Sequence, residues 1–317
     1  MTVAIRSFAK INLGLRIGPS RPDGFHELLT IYQTIGLHDV IRVSVKHGSG
    51  VEIQCADSRV PKDETNTCWK IAEKAMVAAK AKGRVIIEIE KRLPVQGGLG
   101  GASANAIATL LGLQRVLKKQ LPQSEKLRIA AEVGSDLPLF LIGGTVLGLG
   151  RGEQVYPLPD MPATACVIVT PGVGVSTPKA FAQWDQLTLP AASDRISKLG
   201  RQLSAWLSGL YSGAPSRFSP KRGRAENPLL NLVRTGIEND FEQVVFPEYP
   251  EIEEGKQALL SAGAKYASLS GSGSTLYGLF ASKQAAATAA ARLEKGGWSA
   301  QATVTLPRAA YWTRMGI

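Results

Sequence analysis

A glycine-rich stretch, QGGLGGASAN at residues 96–105, carries the clearest chemical signal in the sequence. It follows a strand-like run, RVIIEIE, and precedes a segment with helical periodicity, so it connects a predicted strand to the start of a predicted helix. The first N–H groups of a helix lack intrahelical partners, and the helix dipole favours negative charge there. Since glycines also let the backbone approach a ligand closely, the stretch fits a phosphate cradle. A tight turn that packs a helix on a sheet would use similar residues.

Two common phosphate loops are excluded by single residues. A P-loop ends in Gly-Lys-Ser/Thr, whereas the corresponding end here is Gly101-Ala102-Ser103, without a lysine. A dinucleotide fingerprint needs Gly or Ala where Ser103 stands, and an acidic residue later in the chain, where residues 118–121 contain none. The Ser103 hydroxyl is either the N-cap of the following helix or a contact for a phosphate or its Mg²⁺.

Composition limits the classes of partner. The chain has 317 residues, 44% of them hydrophobic, which favours two domains with substantial cores. A formal charge of +11 suits a polyanionic small molecule as well as nucleic acid. The basic loop at 213–225 lacks interleaved aromatic residues beyond Phe218, so we expect no nucleic-acid partner.

Targeting signals and metal-binding motifs are not evident. The first residues lack a signal-peptide pattern and the most apolar run is too short for a membrane span, so a cytoplasmic protein without membrane contact is expected. Three cysteines and three histidines, none at metal-ligand spacing, predict neither a zinc site nor a disulfide framework.

Alternating patterns predict the strands that position the loop. The run that starts at Val3 alternates and carries Lys10 and Asn12 on its polar face. Two further strands, HELLTIYQTIGL and IRVSVKH, are expected after the turn PSRPDG. Later strands are expected at ACVIVT and on either side of SLSGSGS.

Helical periodicity predicts the elements around these strands. A helix is expected over 66–80, with Thr65 or Asn66 as its N-cap, and others over 124–132 and near 284–295. The helix after the glycine stretch is expected to start near Ser103.

Four ordered motifs resemble those of the GHMP kinases, the superfamily of galacto-, homoserine, mevalonate and phosphomevalonate kinases. The glycine stretch with Pro94 upstream is similar to their phosphate loop, AKINLGL to their N-terminal motif, GSDLPLF to their acidic motif and SLSGSGSTLYGLF to their C-terminal glycine motif. The segments AKINLGLRI, RPDGFHELLTIYQTIGLHD and PGVGVSTPKAF further resemble the 4-diphosphocytidyl-2-C-methyl-D-erythritol kinase family. The resemblance implies ATP- and Mg²⁺-dependent phosphorylation of the 2-hydroxyl of that cytidine-diphosphate alcohol, in the non-mevalonate route to isoprenoid precursors.

The resemblance also implies an α+β fold with two domains. Residues 1–158 would form an N-terminal, ribosomal-protein-S5-domain-2-like domain that binds ATP, and residues 159–317 a C-terminal, ferredoxin-like α/β-plait domain that binds substrate. The active site would lie in the cleft between them, and the proline-rich YPLPDMP marks the expected boundary. Assembly as a monomer or a weak homodimer is expected.

The resemblance assigns the catalytic roles to a carboxylate and an amine. Asp136 would accept the proton of the attacking alcohol, and Lys10 beside it would keep that carboxylate ionised. From local sequence alone, Asp136 is equally a helix N-cap before Leu137 and Pro138, and Lys10 a solvated strand lysine.

Binding residues follow from the same resemblance. ATP and its phosphates would contact Pro94, Gly97, Gly98, Leu99, Gly100, Gly101, Ala102, Ser103, Ala104 and Asn66, with Ser103 near the metal. Substrate would contact Asn12, Phe25, His26, Tyr32, Thr177 and Phe181, and the C-terminal glycine motif is Gly271, Ser272 and Gly273. The loop departs from the family pattern at Gln96, Ala102 and Ala104, which leaves fewer hydroxyls near the phosphates, and Phe25 replaces the usual Tyr.

Simpler interpretations compete for the base-binding residues. The resemblance implies that Phe25 stacks on the cytosine opposite Phe181 while His26 bonds its polar edge. Alternatively, both phenylalanines belong to the core and His26 is an ordinary loop histidine.

The remaining candidates also have structural alternatives. Asn12 is otherwise an edge-strand residue, Thr177 a helix cap before Pro178 and Asn66 a helix cap rather than an adenine contact. The glycines of the C-terminal motif either pack behind the phosphate site or simply turn a hairpin.

Two other functions fit the same sequence. One is a different GHMP small-molecule kinase of the mevalonate or homoserine type. The other is a non-catalytic anion- or nucleic-acid-binding protein on this scaffold, which the net charge of +11 suggests.

Overall fold

The computed structural model describes residues 1–95, 97–187, 192–211, 228–234 and 236–316. Gln96 and the basic loop at 213–225, both noted in the sequence, lie outside the described residues. Within these ranges, no helix is both long enough and apolar enough to cross a lipid bilayer.

The first sheet holds the strand that carries Lys10. Its members are β1 (Thr2–Ser20), β2 (His26–Lys46), β3 (Val51–Cys55), β4 (Arg84–Glu90), β5 (Thr145–Leu149) and β6 (Gln154–Pro157). The order is β3-β4-β2-β5-β6, with β1 paired antiparallel to β2 and β3 parallel to β4. Register shifts in β1 after Phe8 and Asn12 bracket Lys10. Such bulges bend a strand and redirect its side chains.

The second sheet is a four-stranded antiparallel plait. Its members are β7 (Ala165–Thr170), β8 (Tyr266–Leu269), β9 (Leu276–Phe280) and β10 (Ser299–Val304). The order β10-β7-β9-β8 places the first and third of these strands at the centre, as in a ferredoxin-like fold. The α+β prediction with a C-terminal plait is therefore confirmed.

Helices cover both sheets. Those of the N-terminal half are α1 (Thr67–Ala78), α2 (Gly101–Leu117) and α3 (Gln123–Val133), followed by a short 3₁₀ helix at Pro138–Leu141. The others are α4 (Thr177–Asp185), α5 (Ala192–Tyr211), α6 (Pro228–Arg234), α7 (Glu242–Glu248), α8 (Pro250–Ser261), α9 (Lys283–Lys295) and α10 (Arg308–Met315). Helix α2 packs against β1 and β2, which brings the end of the glycine stretch next to Lys10.

The predicted boundary near residue 158 falls between the two sheets, because β6 ends at Pro157 and β7 begins at Ala165. The chain nevertheless returns to the first sheet at its end. Tyr311 of α10 packs its ring 5.9 Å from that of Phe8 and donates a hydrogen bond to the Phe140 carbonyl at 2.8 Å. The division into 1–158 and 159–317 stays a prediction, and α10 is packed on the other side of it.

A shared core fixes the two sheets relative to each other. One cluster of buried residues joins Ile11 and Ile31 of the first sheet to Ile168 and Leu279 of the second. Burial of such aliphatic side chains contributes about 1.5–3 kcal/mol each. The cleft between the sheets is therefore held by a continuous apolar contact.

Two predictions about elements were wrong. The runs HELLTIYQTIGL and IRVSVKH form one strand, β2, because its first part pairs with β5 and its second part with β4. Helix α2 begins at Gly101 rather than near Ser103, because Gly100 adopts a left-handed conformation and serves as the N-cap. Helices α3 and α9 and strand β7 lie where the periodicity predicts them.

Candidate active site

The glycine loop depends on two residues with a left-handed backbone. Gly98 has φ of +78° and Gly100 has φ of +67°, values that residues with a Cβ rarely adopt. A Cβ added at Gly98 would lie 2.2 Å from the carbonyl oxygen of Ser270, and one at Gly273 would lie 2.6 Å from the nitrogen of Gly98. The C-terminal glycine motif therefore does both things that the sequence left open: it turns the β8–β9 hairpin and packs behind the loop.

The start of α2 is open to a ligand. Gly100 has no side chain to cap the helix, so the first N–H groups of α2 keep their capacity to bind an anion. Ser103 is the third residue of the helix, so its interpretation as the N-cap was wrong. Ser103 lines the cavity beside the loop. Ala104 is buried in the core and lines neither of the two cavities described below.

Two cavities meet at the loop. The smaller, of about 380 Å³, is lined by Pro94, by residues 97–103 and by Asn66 at the start of α1. The larger, of about 710 Å³, runs between β1, the segment Ser135–Asp136 before the 3₁₀ helix, and α4. Gly98 and Gly100 line both cavities, so a phosphate held by the loop would be reached from either side.

Lys10 lies at this junction. The residue is only 3% exposed, so it is not a solvated strand lysine. Its Nζ lies 3.3 Å from Oδ2 of Asp136 and donates a hydrogen bond to Oδ1 of Asn12 at 2.7 Å. Its main-chain N–H donates to the Leu99 carbonyl at 2.9 Å, which fastens β1 to the loop. A Cβ at Gly100 would lie 3.0 Å from Lys10 Cγ, so the amine reaches past the loop backbone.

Asp136 is oriented from two sides. One carboxylate oxygen faces Lys10, and the other accepts a hydrogen bond from Tyr32 Oη at 3.0 Å. Burial, together with the negative charge of Asp136, raises the pKa of Tyr32 well above its usual value, so the phenol stays a neutral donor. The N-cap interpretation of Asp136 was wrong, because the 3₁₀ helix starts at Pro138 without a side-chain cap. One third of the Asp136 side chain is exposed, and it lines the larger cavity.

Asn12 supports the lysine from beneath. It accepts from Lys10, and its Nδ2 donates to Oγ1 of Thr30 at 2.8 Å, which in turn donates to the Gly14 carbonyl at 2.9 Å. Asn12 is 1% exposed yet contributes to the cavity lining. This chain of hydrogen bonds fixes the direction of the Lys10 amine.

Aromatic residues line part of the larger cavity. The His26 ring stacks on Phe181 with centroids 4.9 Å apart and an interplanar angle of 13°. Its Nε2 lies 2.7 Å from Oδ1 of Asp185. Phe25 is 49% exposed beneath the Arg151 guanidinium, 4.8 Å from its ring centroid, so it is not a core residue. All of these side chains line the same cavity.

Thr177 and Asn66, the two remaining residues with a predicted capping alternative, have different outcomes. Thr177 is not a helix cap, because Ser176 holds the N-cap position of α4. The Oγ1 of Thr177 lies 2.6 Å from Oγ of Ser272 in the glycine motif. Asn66 is the N-cap of α1, because its Oδ1 accepts from the Cys68 N–H at 2.8 Å, and it also lines the smaller cavity.

Several polar residues at the site were missed from the sequence. Lys91 and Asn105 line the smaller cavity, and Arg151 and Asp185 line the larger one. Lys91 directly follows β4, three residues before Pro94, and this basic residue beside an anion loop is the signal that could have found it. The described ranges hold no group of three or more His, Cys, Asp or Glu residues arranged for a metal ion.

Known proteins resemble this chain over almost its whole length. It matches the GHMP kinases N terminal domain at residues 66–144 and the GHMP kinases C terminal domain at residues 226–297. A 4-diphosphocytidyl-2-C-methyl-D-erythritol kinase of Solibacter usitatus is 39% identical over 89% of this chain and 82% of the relative. One of Acaryochloris marina is 35% identical over 92% and 91%.

Solved structures agree with these relatives. A crystal structure of 4-(cytidine 5'-diphospho)-2C-methyl-D-erythritol kinase superposes with a TM-score of 0.72 at 29% identity, covering 96% of this chain and 99% of that one. Homoserine kinase from Cytophaga hutchinsonii gives a TM-score of 0.69 at 22% identity, covering 96% and 95%, which is a likeness of fold alone.

Proposed function

The chain belongs to the family of 4-diphosphocytidyl-2-C-methyl-D-erythritol kinases, and we propose that its two joined cavities carry out the reaction of that name. As a member of this GHMP kinase family it is an ATP-dependent phosphotransferase with an alcohol acceptor. The γ-phosphoryl group of ATP moves to the 2-hydroxyl of 4-diphosphocytidyl-2-C-methyl-D-erythritol, giving the 2-phosphate and ADP. This is a step in non-mevalonate isoprenoid precursor synthesis.

The observation that carries the proposal is the junction of the cavities at Gly98 and Gly100. ATP in the smaller cavity would place its terminal phosphate at this junction, and the acceptor alcohol would enter from the larger cavity. Lys10 and Asp136 lie on the acceptor side of the same junction. Phosphoryl transfer needs positioning and charge stabilisation more than covalent chemistry from the protein. The arrangement supplies both.

Asp136 is proposed as the proton acceptor. As the acceptor oxygen attacks the γ-phosphorus, the bond to the ADP oxygen breaks and the hydroxyl proton passes to Oδ2 of Asp136. The hydrogen bond from Tyr32 leaves this second oxygen for Lys10 and the substrate. Such a positioned acid or base contributes about 10²–10⁴-fold to a rate.

Lys10 is proposed to stabilise negative charge on the alcohol oxygen and on the transferring phosphoryl group. Its amine is already directed by Asn12 and Asp136, so it need not reorganise during the reaction. An ammonium group stabilises a nearby negative charge more strongly in a buried site than in water, because the local dielectric constant is low.

Phosphate binding is proposed to rest on backbone groups. The N–H groups at residues 97–103 and the N-terminus of α2 suit the charge and geometry of a triphosphate. Gly98 and Gly100 cannot carry a side chain without strain, which keeps this backbone accessible.

Mg²⁺ is proposed to arrive with ATP. Among the described residues no carboxylate–histidine cluster would hold it alone, and Ser103 contributes one hydroxyl beside the loop. This suits an ion that takes most of its ligands from phosphates and water. When bound, it neutralises charge on the phosphate oxygens.

Base recognition is proposed for the aromatic part of the larger cavity. Exposed Phe25 offers a ring face for a cytosine, Phe181 and His26 supply the opposite wall, and Thr177 lies where this wall meets the glycine motif. Stacking of a base on an aromatic ring contributes about 1–3 kcal/mol and does not require the hydroxyl of a tyrosine. A monomeric or weakly dimeric state, a cytoplasmic location and the absence of nucleic-acid partners stay predictions from the sequence.

A coupled assay of ADP release tests the function. Turnover is expected with 4-diphosphocytidyl-2-C-methyl-D-erythritol and not with mevalonate or homoserine at the same concentration. Turnover of one of the latter two without the former would support the rival GHMP kinase. Absence of any turnover, together with salt-dependent binding of RNA or DNA, would support the non-catalytic alternative.

A further inference from the structure

A carboxylate that lines neither cavity holds the glycine loop at both ends. Asp39 of β2 is 0% exposed. Its Oδ1 accepts the main-chain N–H groups of Arg92 and Leu93, both at 2.7 Å. Its Oδ2 accepts Nζ of Lys91 at 2.8 Å and Nδ2 of Asn105 at 2.9 Å.

These four donors come from both sides of the loop. Residues 91–93 leave β4 immediately before Pro94, and Asn105 lies in the second turn of α2. A buried carboxylate without partners is strongly unfavourable, whereas one with four donors is satisfied. Asp39 therefore connects the strand that enters the loop to the helix that leaves it.

Two of the donors belong to residues that line the smaller cavity, where ATP is proposed to bind. Lys91 and Asn105 both line the smaller cavity, and neither interaction is available to solvent, because Lys91 is 9% and Asn105 3% exposed. A Cβ built on Gly101 would lie 3.5 Å from Lys91 Nζ, so the ammonium stands at the first residue of α2. Lys91 places an ammonium group beside that helix end, where the Asp39 carboxylate 2.8 Å away fixes its position and offsets part of its charge.

We propose that Asp39 is a positioning residue for ATP. It would act through Lys91, whose ammonium it holds at the helix N-terminus, and through the loop backbone, whose two ends it fixes. The loop has no lysine of its own, and Lys91, held in place by Asp39, supplies an ammonium donor beside it. The inference rests on the proposed function, because it requires ATP in the smaller cavity.

The first test is Asp39→Asn, which keeps the shape of the side chain but places an N–H₂ group toward Lys91 or toward the loop amides. The KM for ATP should rise about tenfold or more, since a hydrogen bond to a charged group is lost. The KM for the cytidine substrate should stay within about twofold, because the larger cavity does not include these residues.

Asp240→Asn is the matched control. Asp240 is also 0% exposed, and it accepts from Arg16 Nη1 at 2.6 Å and from the Ile17 N–H at 2.8 Å, away from the glycine loop. The Asp240→Asn variant should lower the melting temperature as Asp39→Asn does, while its KM for ATP stays within about twofold of the wild-type value. A rise in the KM for ATP of equal size in both variants would assign the effect to general destabilisation and overturn the inference.

A double variant, Asp39→Asn with Lys91→Met, separates positioning from burial of an unpaired charge. It removes the ammonium that Asp39→Asn leaves without a counter-ion, so it should fold even if the single variant does not. Its melting temperature should recover while its KM for ATP stays raised. Recovery of both would overturn the inference.

Binding of a fluorescent ATP analogue separates this inference from its premise. A wild-type chain that does not bind the analogue would refute the proposed function and this inference with it. A wild-type chain that binds, with an Asp39→Asn variant that binds equally well, would refute only the role of Asp39.

Discussion

Replacing Gly98 by alanine tests whether the two glycine motifs form one unit. Gly98 has φ of +78°, and a Cβ there would lie 2.2 Å from the Ser270 carbonyl oxygen. Gly50 provides the control, because its φ of +87° is similar but nothing lies within 4 Å of its added Cβ. The difference between Gly98→Ala and Gly50→Ala therefore isolates the contact from the backbone strain.

The magnitudes follow from these two terms. A left-handed backbone costs a residue with a Cβ about 1–2 kcal/mol, and both variants carry this cost. Overpacking that shifts backbone adds about 1–3 kcal/mol, and only Gly98→Ala carries it. Since 1 kcal/mol shifts the melting temperature of a chain of this size by about 2 °C, Gly98→Ala should melt about 2–6 °C below Gly50→Ala.

Activity should separate the variants further. Gly98 lines both cavities, and a displacement of about 1 Å at a transferring phosphate costs about 10²-fold in rate. Differential scanning fluorimetry and ADP release would be measured on both variants. Equal melting temperatures, or wild-type kcat/KM for ATP in Gly98→Ala, would refute the reasoning that the C-terminal motif supports the loop.

Three further expectations follow from the site. Tyr32→Phe removes one hydrogen bond to Asp136 and should lower kcat about tenfold while the KM for ATP stays within twofold; unchanged kcat would contradict the orienting role. Phe25→Ala should raise the KM for the cytidine substrate at least fivefold and Phe25→Tyr should not, and equal effects of the two in the coupled assay would exclude stacking. Burial raises the pKa of Tyr32 and Tyr277 well above its usual value in the folded chain. As the pH rises, the unfolded chain therefore loses these two protons before the folded chain does. The free energy of unfolding should then fall above about pH 10. Urea midpoints at about pH 8 and pH 11 check this, and ionisation of all tyrosines near pH 10 in the folded chain, seen by ultraviolet absorbance, would contradict it.

The sequence predicted the elements whose signals are local. Helix α3 has its apolar residues at helical spacing after Pro122, and Asn66 caps α1 through a bond to a residue two positions away. The motifs around Lys10, Gly98 and Asp136 were recognisable from their order along the chain, and the structure brings them to one junction.

The errors arose where a tertiary contact overrides a local signal. Ser103 resembles an N-cap, but Gly100 packs against Lys10 and adopts the left-handed conformation that starts the helix earlier. Asp136 also resembles a cap, and its carboxylate instead pairs with Lys10 and Tyr32, which lie more than a hundred residues away. Local periodicity holds no information on such partners.

The distant partners of individual residues could not be predicted from the sequence. Asp39 ends the family-like segment RPDGFHELLTIYQTIGLHD, which assigns it no role, and its four donors lie 52 to 66 positions further along the chain. The stack of His26 on Phe181 joins the first residue of β2, in the first sheet, to α4, which follows β7 of the second sheet. The packing of α2 on β1 and β2, and the contacts of α4 with His26, bring these residues together.

The most direct test of the account is the rate of a single turnover by Asp136→Asn. The asparagine keeps the size of the side chain and can still accept from Tyr32, but it cannot take up the proton of the acceptor alcohol. With enzyme in excess over ATP, the transfer rate should fall about 10²–10⁴-fold while the dissociation constants of both substrates change less than about threefold. A rate within about tenfold of wild type would show that Asp136 is not the proton acceptor and would contradict the mechanism.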